Sequence, residues 1–222
     1  MKRSFQCAFG MAALFVSSSA CAQTFGNKGQ LAISAERLFG FYHDSQTVSL
    51  GAPVGDQTTK YDSFSFLSSG LGAGFYAAPR VAGDYFIIDH LSIGGALGYS
   101  HVSVSNPAIN GTTTSVGTDS FLFAARAGWA YMFTDIIGIW PRGGFTYRTL
   151  NPGATSGHVL AFTAEVPVVF TVIPHVAFWA GPTLDLGITG SRSQTVGAAT
   201  VSQDINATEI GIQTGMTAYF DL

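Results

Sequence analysis

The chain reads as all-β, and more narrowly as an eight-stranded antiparallel up-and-down transmembrane β-barrel with short periplasmic turns and longer extracellular loops. Three observations predict this. First, 47% of the 222 residues are apolar and only 10% charged, with 18 Phe, whereas soluble domains carry about 25% charged residues. No run is apolar for the roughly 18 residues a membrane helix needs; the longest, residues 7–16, spans ten and lies at the N-terminus. Second, apolar side chains recur at every second position over stretches longer than the usual strand of about five or six residues. Third, the connections between these stretches alternate between short and long, as barrels with periplasmic turns and external loops require.

Lys2 and Arg3 form a positive start, residues 5–16 an apolar segment, and Ser17 to Ser19 a polar one that leads to Ala20-Cys21-Ala22. Small residues at Ala20 and Ala22 fit signal-peptidase cleavage before Gln23, so residues 1–22 are expected to be a removed secretory signal and 23–222 a single barrel domain. Acylation of Cys21 is the alternative, although Ser18 stands where a lipoprotein signal favours an aliphatic residue. The chain's 2 cysteines, Cys7 and Cys21, both fall in this segment, so no disulfide is expected in the barrel. Without Lys2 and Arg3, 8 basic residues face 13 acidic ones, a net charge of −5. That balance, with no basic run, argues against nucleic acid and against polybasic adhesion to anionic lipid.

In residues 121–133 the odd positions Phe121, Phe123, Ala125, Ala127, Trp129, Tyr131 and Phe133 form one face, with Arg126 on the other. Aromatic residues at the ends of an apolar face suit the two interfaces of a bilayer. The same period predicts strands at 159–172, 176–188 and 210–222, and, less regularly, at 31–42, 71–87, 91–104 and 137–149. Short turns are expected at 88–90, 134–136 and 173–175, and long loops around 43–70, 105–118, 151–158 and 189–207. Tyr61, Phe64 and Phe66 leave two options for the first loop: an upward extension of the second strand, or a small external hairpin. Pro79, Pro141, Pro167 and Pro182 fall in predicted strands, where each removes a ladder donor, so irregularities are expected there.

With apolar residues facing lipid, the opposite face lines the interior. Strand by strand it carries Glu36, Arg80, Asp84, Arg126, Arg142, Arg148, Glu165 and Asp185. A charge on the lipid face at midplane costs about 2–4 kcal/mol, whereas carboxylates and guanidinium groups facing one another inside can pair. Arg37 falls on the wrong face and implies a bulge or a rim position. An eight-stranded interior is just wide enough for side chains to fill, so the cluster is expected to be a salt-bridged core; a polar path or gate is the alternative. Gly72, Gly74, Gly94 and Gly98 leave room beside it.

The hairpin elements at 84–94 and 131–138 each place an aromatic strand end, an Asp turn and a returning apolar strand in sequence. A third, at 169–176, has Pro174 in place of Asp, and the last strand ends Tyr219-Phe220-Asp221-Leu222. In these pieces, and over essentially the whole of 23–222, the chain resembles the small bacterial outer-membrane β-barrels, the broad family of the OmpA transmembrane domain, OmpX and OmpW. The resemblance implies a monomer integral to the Gram-negative outer membrane, with both termini periplasmic and contacts to outer-membrane lipids and lipopolysaccharide. It further implies that the last strand serves as the signal to the barrel-assembly machinery, although it ends in Leu222 where the family has Phe. Members share this scaffold across adhesion, envelope stability, solute passage and lipid modification, so the scaffold alone does not define the role.

One constellation carries potential chemistry. His101 and Ser103, with Asp119 on the next strand, place a base beside a hydroxyl near the outer leaflet, the minimum for an acyl-transfer nucleophile. His-x-Ser is a weak pattern, and the expectation is a non-enzyme, with an outer-leaflet lipid esterase or deacylase as the minor alternative. His43, His90, His158 and His175 share no ligand spacing, so neither a metal nor a cofactor is expected. The favoured role is structural or surface interaction, and the alternative is a narrow, porin-like channel or conduit for small apolar solutes.

Overall fold

From Gln30 onward the two-residue period is realised as one continuous sheet. The computed structural model describes residues 24–50, 55–67, 75–107, 113–152, 155–196 and 199–222, with side chains at all of these except 102–107, 113–116, 150, 152, 155, 194–196 and 199–200. Residues 1–22, expected to be the signal, lie outside the described residues.

Eight long strands form a closed circuit: β1 (Gln30–Ser49), β3 (Arg80–Ile88), β4 (Leu91–Pro107), β5 (Thr113–Trp129), β8 (Arg142–Pro152), β9 (Thr155–Glu165), β11 (Val176–Val196) and β12 (Ala199–Asp221). Each is antiparallel to the next, and β12 returns from Asp204 to Asp221 to pair with β1. Closure satisfies the backbone groups that a sheet edge would leave bare in lipid. Four further strands hang on this circuit: β2 (Asp56–Phe66), which pairs with β1, and the short β6 (Tyr131–Met132), β7 (Ile137–Ile139) and β10 (Val168–Ile173).

The wall sorts side chains by parity. Along β3, Arg80, Ala82, Asp84 and Phe86 are buried inside, while Val81, Tyr85 and Ile87 are exposed. The outer surface is an apolar belt that includes Ile33, Leu97, Phe121, Phe123, Phe145, Phe162, Ile210 and Ile212. Exposed Tyr85, Trp129 and Tyr131 mark its turn end, and exposed Tyr99 and Tyr147 its opposite end, as the two polar–apolar interfaces of a membrane select.

Three predicted strands are shorter than their periodicity suggests, and proline supplies the reason. The strand predicted at 71–87 begins only at Arg80, directly after Pro79, whose ring fixes φ and donates no ladder bond. Residues 71–74 lie outside the described residues, and Phe75 to Ala78 turn into the barrel, where all four are buried. The strand predicted at 137–149 breaks at Trp140-Pro141 and that at 159–172 at Val166-Pro167. Pro182 stays inside β11 in register with Ile212, but it stands where β11 exchanges its neighbour β10 for β9.

Conversely, much of what reads as long loop is strand. β4 and β5 pair out to Pro107 and Thr113, β11 and β12 out to Val196 and Ala199, and β1 with β2 out to Ser49 and Asp56. Of the two options for Tyr61, Phe64 and Phe66, the small hairpin is therefore the one realised. In the β1–β2 extension Gln57, Thr58 and Thr59 are exposed at consecutive positions, so no face there is reserved for apolar residues.

Candidate functional site

The interior is the site that the fold builds. Its turn end is sealed by an aromatic floor: Phe25, Phe86, Trp140, Trp179 and Tyr219, packed with Ala32, Ala130, Val169 and Ala177. Phe25 is the hub, meeting Phe86, Trp140 and Tyr219 edge-on at centroid distances of 5.0–5.4 Å. The Arg142 guanidinium lies 4.6 Å from the ring centre of Trp140 and 4.5 Å from that of Trp179, which joins the floor to the charges above it by cation–π contact.

Above the floor, three acids and three arginines interlock. Glu36 accepts from Arg80 Nε (2.7 Å), from Arg126 Nη1 and Nη2 (2.8 and 2.7 Å) and from Arg142 Nη1 (2.7 Å). Asp84 holds Arg126 through both of its oxygens, and Glu165 faces Arg80 and Arg142. Their side chains are essentially inaccessible to solvent. Two glycines make the fit: a Cβ at Gly94 would sit 2.5 Å from Asp84 Oδ1, and one at Gly144 2.6 Å from Arg126 Cα. A cavity of about 10 Å³ remains beside Arg126, Gly144, Thr146 and Glu165, the room of a single water.

A second charged layer lies toward the hairpin end. Arg37 reaches Asp185 (2.7 Å) and Glu209 (3.2 Å) and touches the lower layer at Glu165 (3.8 Å). It does so from a bulge: its φ is +54°, and the β1–β12 register shifts between Glu36 and Phe39, so two consecutive residues both point inward. Of the two outcomes open to Arg37 in the sequence, the bulge is the one found. Asp44, in register with Glu209, completes the layer. Both carboxylates accept consecutive backbone amides of the inward segment, Phe75 N–H to Asp44 (2.8 Å) and Tyr76 N–H to Glu209 (2.7 Å), while Arg37 donates to the Tyr76 carbonyl. Phe75 and Tyr76 fill the lumen here against Val159, Ala161, Ile205 and Ala207. Arg148 donates to Ser120 (2.6 Å) and caps the Phe75 ring at 5.1 Å.

The eight interior residues named from the sequence thus fall into two groups. Glu36, Arg80, Asp84, Arg126, Arg142 and Glu165 meet in the lower layer, Asp185 belongs to the upper one, and Arg148 pairs with no carboxylate among the described residues. Arg37, Asp44 and Glu209 are the interior charges that the reading missed. Glu209 has the inward parity of Gln213, and extending the last strand by one residue finds it. Gly94 and Gly98 do line the interior, whereas Gly72 and Gly74 lie outside the described residues.

At the outer rim, His101 Nδ1 and Tyr99 Oη both donate to Asp119 Oδ1 at 2.8 Å. The Ser103 side chain lies outside the described residues, so the structure joins two members of the His101, Ser103 and Asp119 set. Among the described residues, no group of three or more His, Cys, Asp or Glu could hold a metal ion.

Fold and lining together define an eight-stranded β-barrel of the outer-membrane type, apolar outside and filled by polar side chains within. The chain is similar to outer membrane protein AlkL, solved by solid-state NMR in lipid bilayers, at TM-score 0.57 and 13% identity over 93% of this chain and 97% of that one. It is equally similar to the outer membrane protein OprG from Pseudomonas aeruginosa, at TM-score 0.57 and 11% identity over 90% of this chain and 100% of that one. At such identities the likeness is one of fold. No family model matches the chain, nor does any curated protein.

Proposed function

We propose that this protein is an integral outer-membrane barrel with a structural or surface-interaction role, both termini periplasmic, acting as a monomer without enzymatic activity. In this reading, residues 1–22 are an export signal, the last strand addresses the barrel-assembly machinery, and the long hairpins meet lipopolysaccharide and the exterior. The observation that carries it is the filled lumen: an aromatic floor, an interlocked ionic layer and an inward segment stand in series along the axis. Desolvated arginines and carboxylates that satisfy one another specify register, and in this reading they block a continuous water path. The test is swelling of vesicles that contain the refolded protein. Swelling in small sugars no faster than protein-free vesicles is expected, provided the barrel shifts in gel mobility on boiling; rapid swelling would refute a filled lumen.

One observation favours a second reading, a lateral conduit for small apolar solutes. Above Arg80 the wall is not continuous among the described residues: β1 turns from β3 to β2, while β4 beyond Gly98 keeps only β5. Exposed Phe64 and Phe66 flank one side of this seam and exposed Tyr99 the other. Uptake of a fluorescent apolar probe into such vesicles, abolished when the seam is bridged by a disulfide, would establish this reading over the first.

A further inference from the structure

The inward segment and the open edge of β4 are complementary. β3 leaves β4 at the pair Arg80 and Gly98, and above that point the edge of β4 has no partner among the described residues. Such an edge is a template for another strand. The residues that would have covered it are Phe75 to Pro79, which point into the lumen instead. Their seat is not a ladder: it consists of the Asp44 and Glu209 carboxylates on two amides, the Arg37 guanidinium on one carbonyl, and the packing of two rings. Among the described residues the amides of Ala77 and Ala78 have no backbone partner. Leu67, directly after β2, has φ +49°, a conformation uncommon outside glycine, and Pro79 stands at the mouth of β3.

We propose that the edge of β4 above Gly98, unpartnered among the described residues, is a second docking site for residues 75–79, so that this segment exchanges between the lumen and the wall. Continuing the register upward pairs Pro79 with Tyr99, Ala78 with Ser100 and Ala77 with His101. The parity of β3 is then preserved: Ala78 and Tyr76 face inward like Arg80 and Ala82, and Phe75 and Ala77 face outward beside Tyr99 and His101. The move exchanges three side-chain contacts for a ladder, closes the seam, and empties the upper lumen next to Val159 and Ile205. It also leaves the neighbouring carboxylates Asp44 and Glu209 without their amide donors, so neutralising them favours the wall position.

The test uses the full chain assembled in cells with Cys7 and Cys21 replaced by Ser. Ala77 is fully buried and His101 is exposed on the outer face, so the pair Ala77→Cys and His101→Cys can form a disulfide only when the segment docks on β4. Val81→Cys with Leu97→Cys, an outward pair already in register, is the positive control, and heat-modifiable gel mobility confirms the barrel. The expected result is oxidation of the Ala77/His101 pair, at least fivefold faster when Asp44→Asn and Glu209→Gln are added. A single Val159→Cys should likewise react at least fivefold faster with a membrane-impermeant maleimide in that neutralised background. No cross-link in either background while the control pair oxidises, or a cross-link without faster labelling of Val159→Cys, overturns the proposal.

Discussion

The two charged layers of the lumen are built from the same residue types, yet they are held differently. In the lower layer Glu36, Asp84 and Glu165 are matched by Arg80, Arg126 and Arg142, and every partner stands on a strand of the closed circuit. In the upper layer Arg37 pairs with Asp185 and Glu209, Asp44 has no ion-pair partner among the described residues, and two of the three carboxylates are engaged by backbone amides of the Phe75–Tyr76 segment. Lower charges thus tie strand to strand, while upper charges tie strand to strand through Arg37 and in addition tie a separable piece of chain to the wall. The first arrangement resists change as a unit; the second can be loosened without breaking a ladder.

Substitutions should expose that difference, read as urea midpoints of refolding into lipid vesicles. Glu36→Ala removes one carboxylate partner from each of three buried arginines and should destabilise the barrel most, by about 3–5 kcal/mol. Gly144→Ala forces a methyl group against Arg126 Cα and the neighbouring strand, and should cost about 1–3 kcal/mol. Glu209→Gln keeps the shape and an acceptor for Tyr76 N–H but replaces a charge-assisted bond with a neutral one, a loss of about 1 kcal/mol. Asp119→Asn at the exposed rim should shift stability by no more than about 0.5 kcal/mol. If Glu209→Gln proved as damaging as Glu36→Ala, the two layers would be equivalent and the contrast would collapse.

The lower half of the barrel was legible because its two faces meet different surroundings. Lipid outside and charge inside impose a period of two on 121–129 or 176–188, and phasing on the apolar face then places Arg126, Glu165 and Asp185 inside. The β1–β2 extension is not legible in this way, because Gln57, Thr58 and Thr59 are exposed at consecutive positions and no period is selected. Arg37 was legible only as an exception to parity: a bulge or a rim position both explain it, and the sequence does not choose between them. Phe75 and Tyr76 escaped for a third reason: their alternation continues that of β3, and their inward position depends on the carboxylates of Asp44 and Glu209 across the lumen, which accept their amides. The outer-rim pair His101 and Asp119 was legible as neighbours, since both have outward parity on adjacent strands.

The claim that the lumen is filled is tested most directly by single-channel recording of the wild-type protein in planar bilayers. The account predicts no stable conductance above that of protein-free membranes. Reproducible conductance steps, altered by substitution of Arg126 or Trp179, would contradict it.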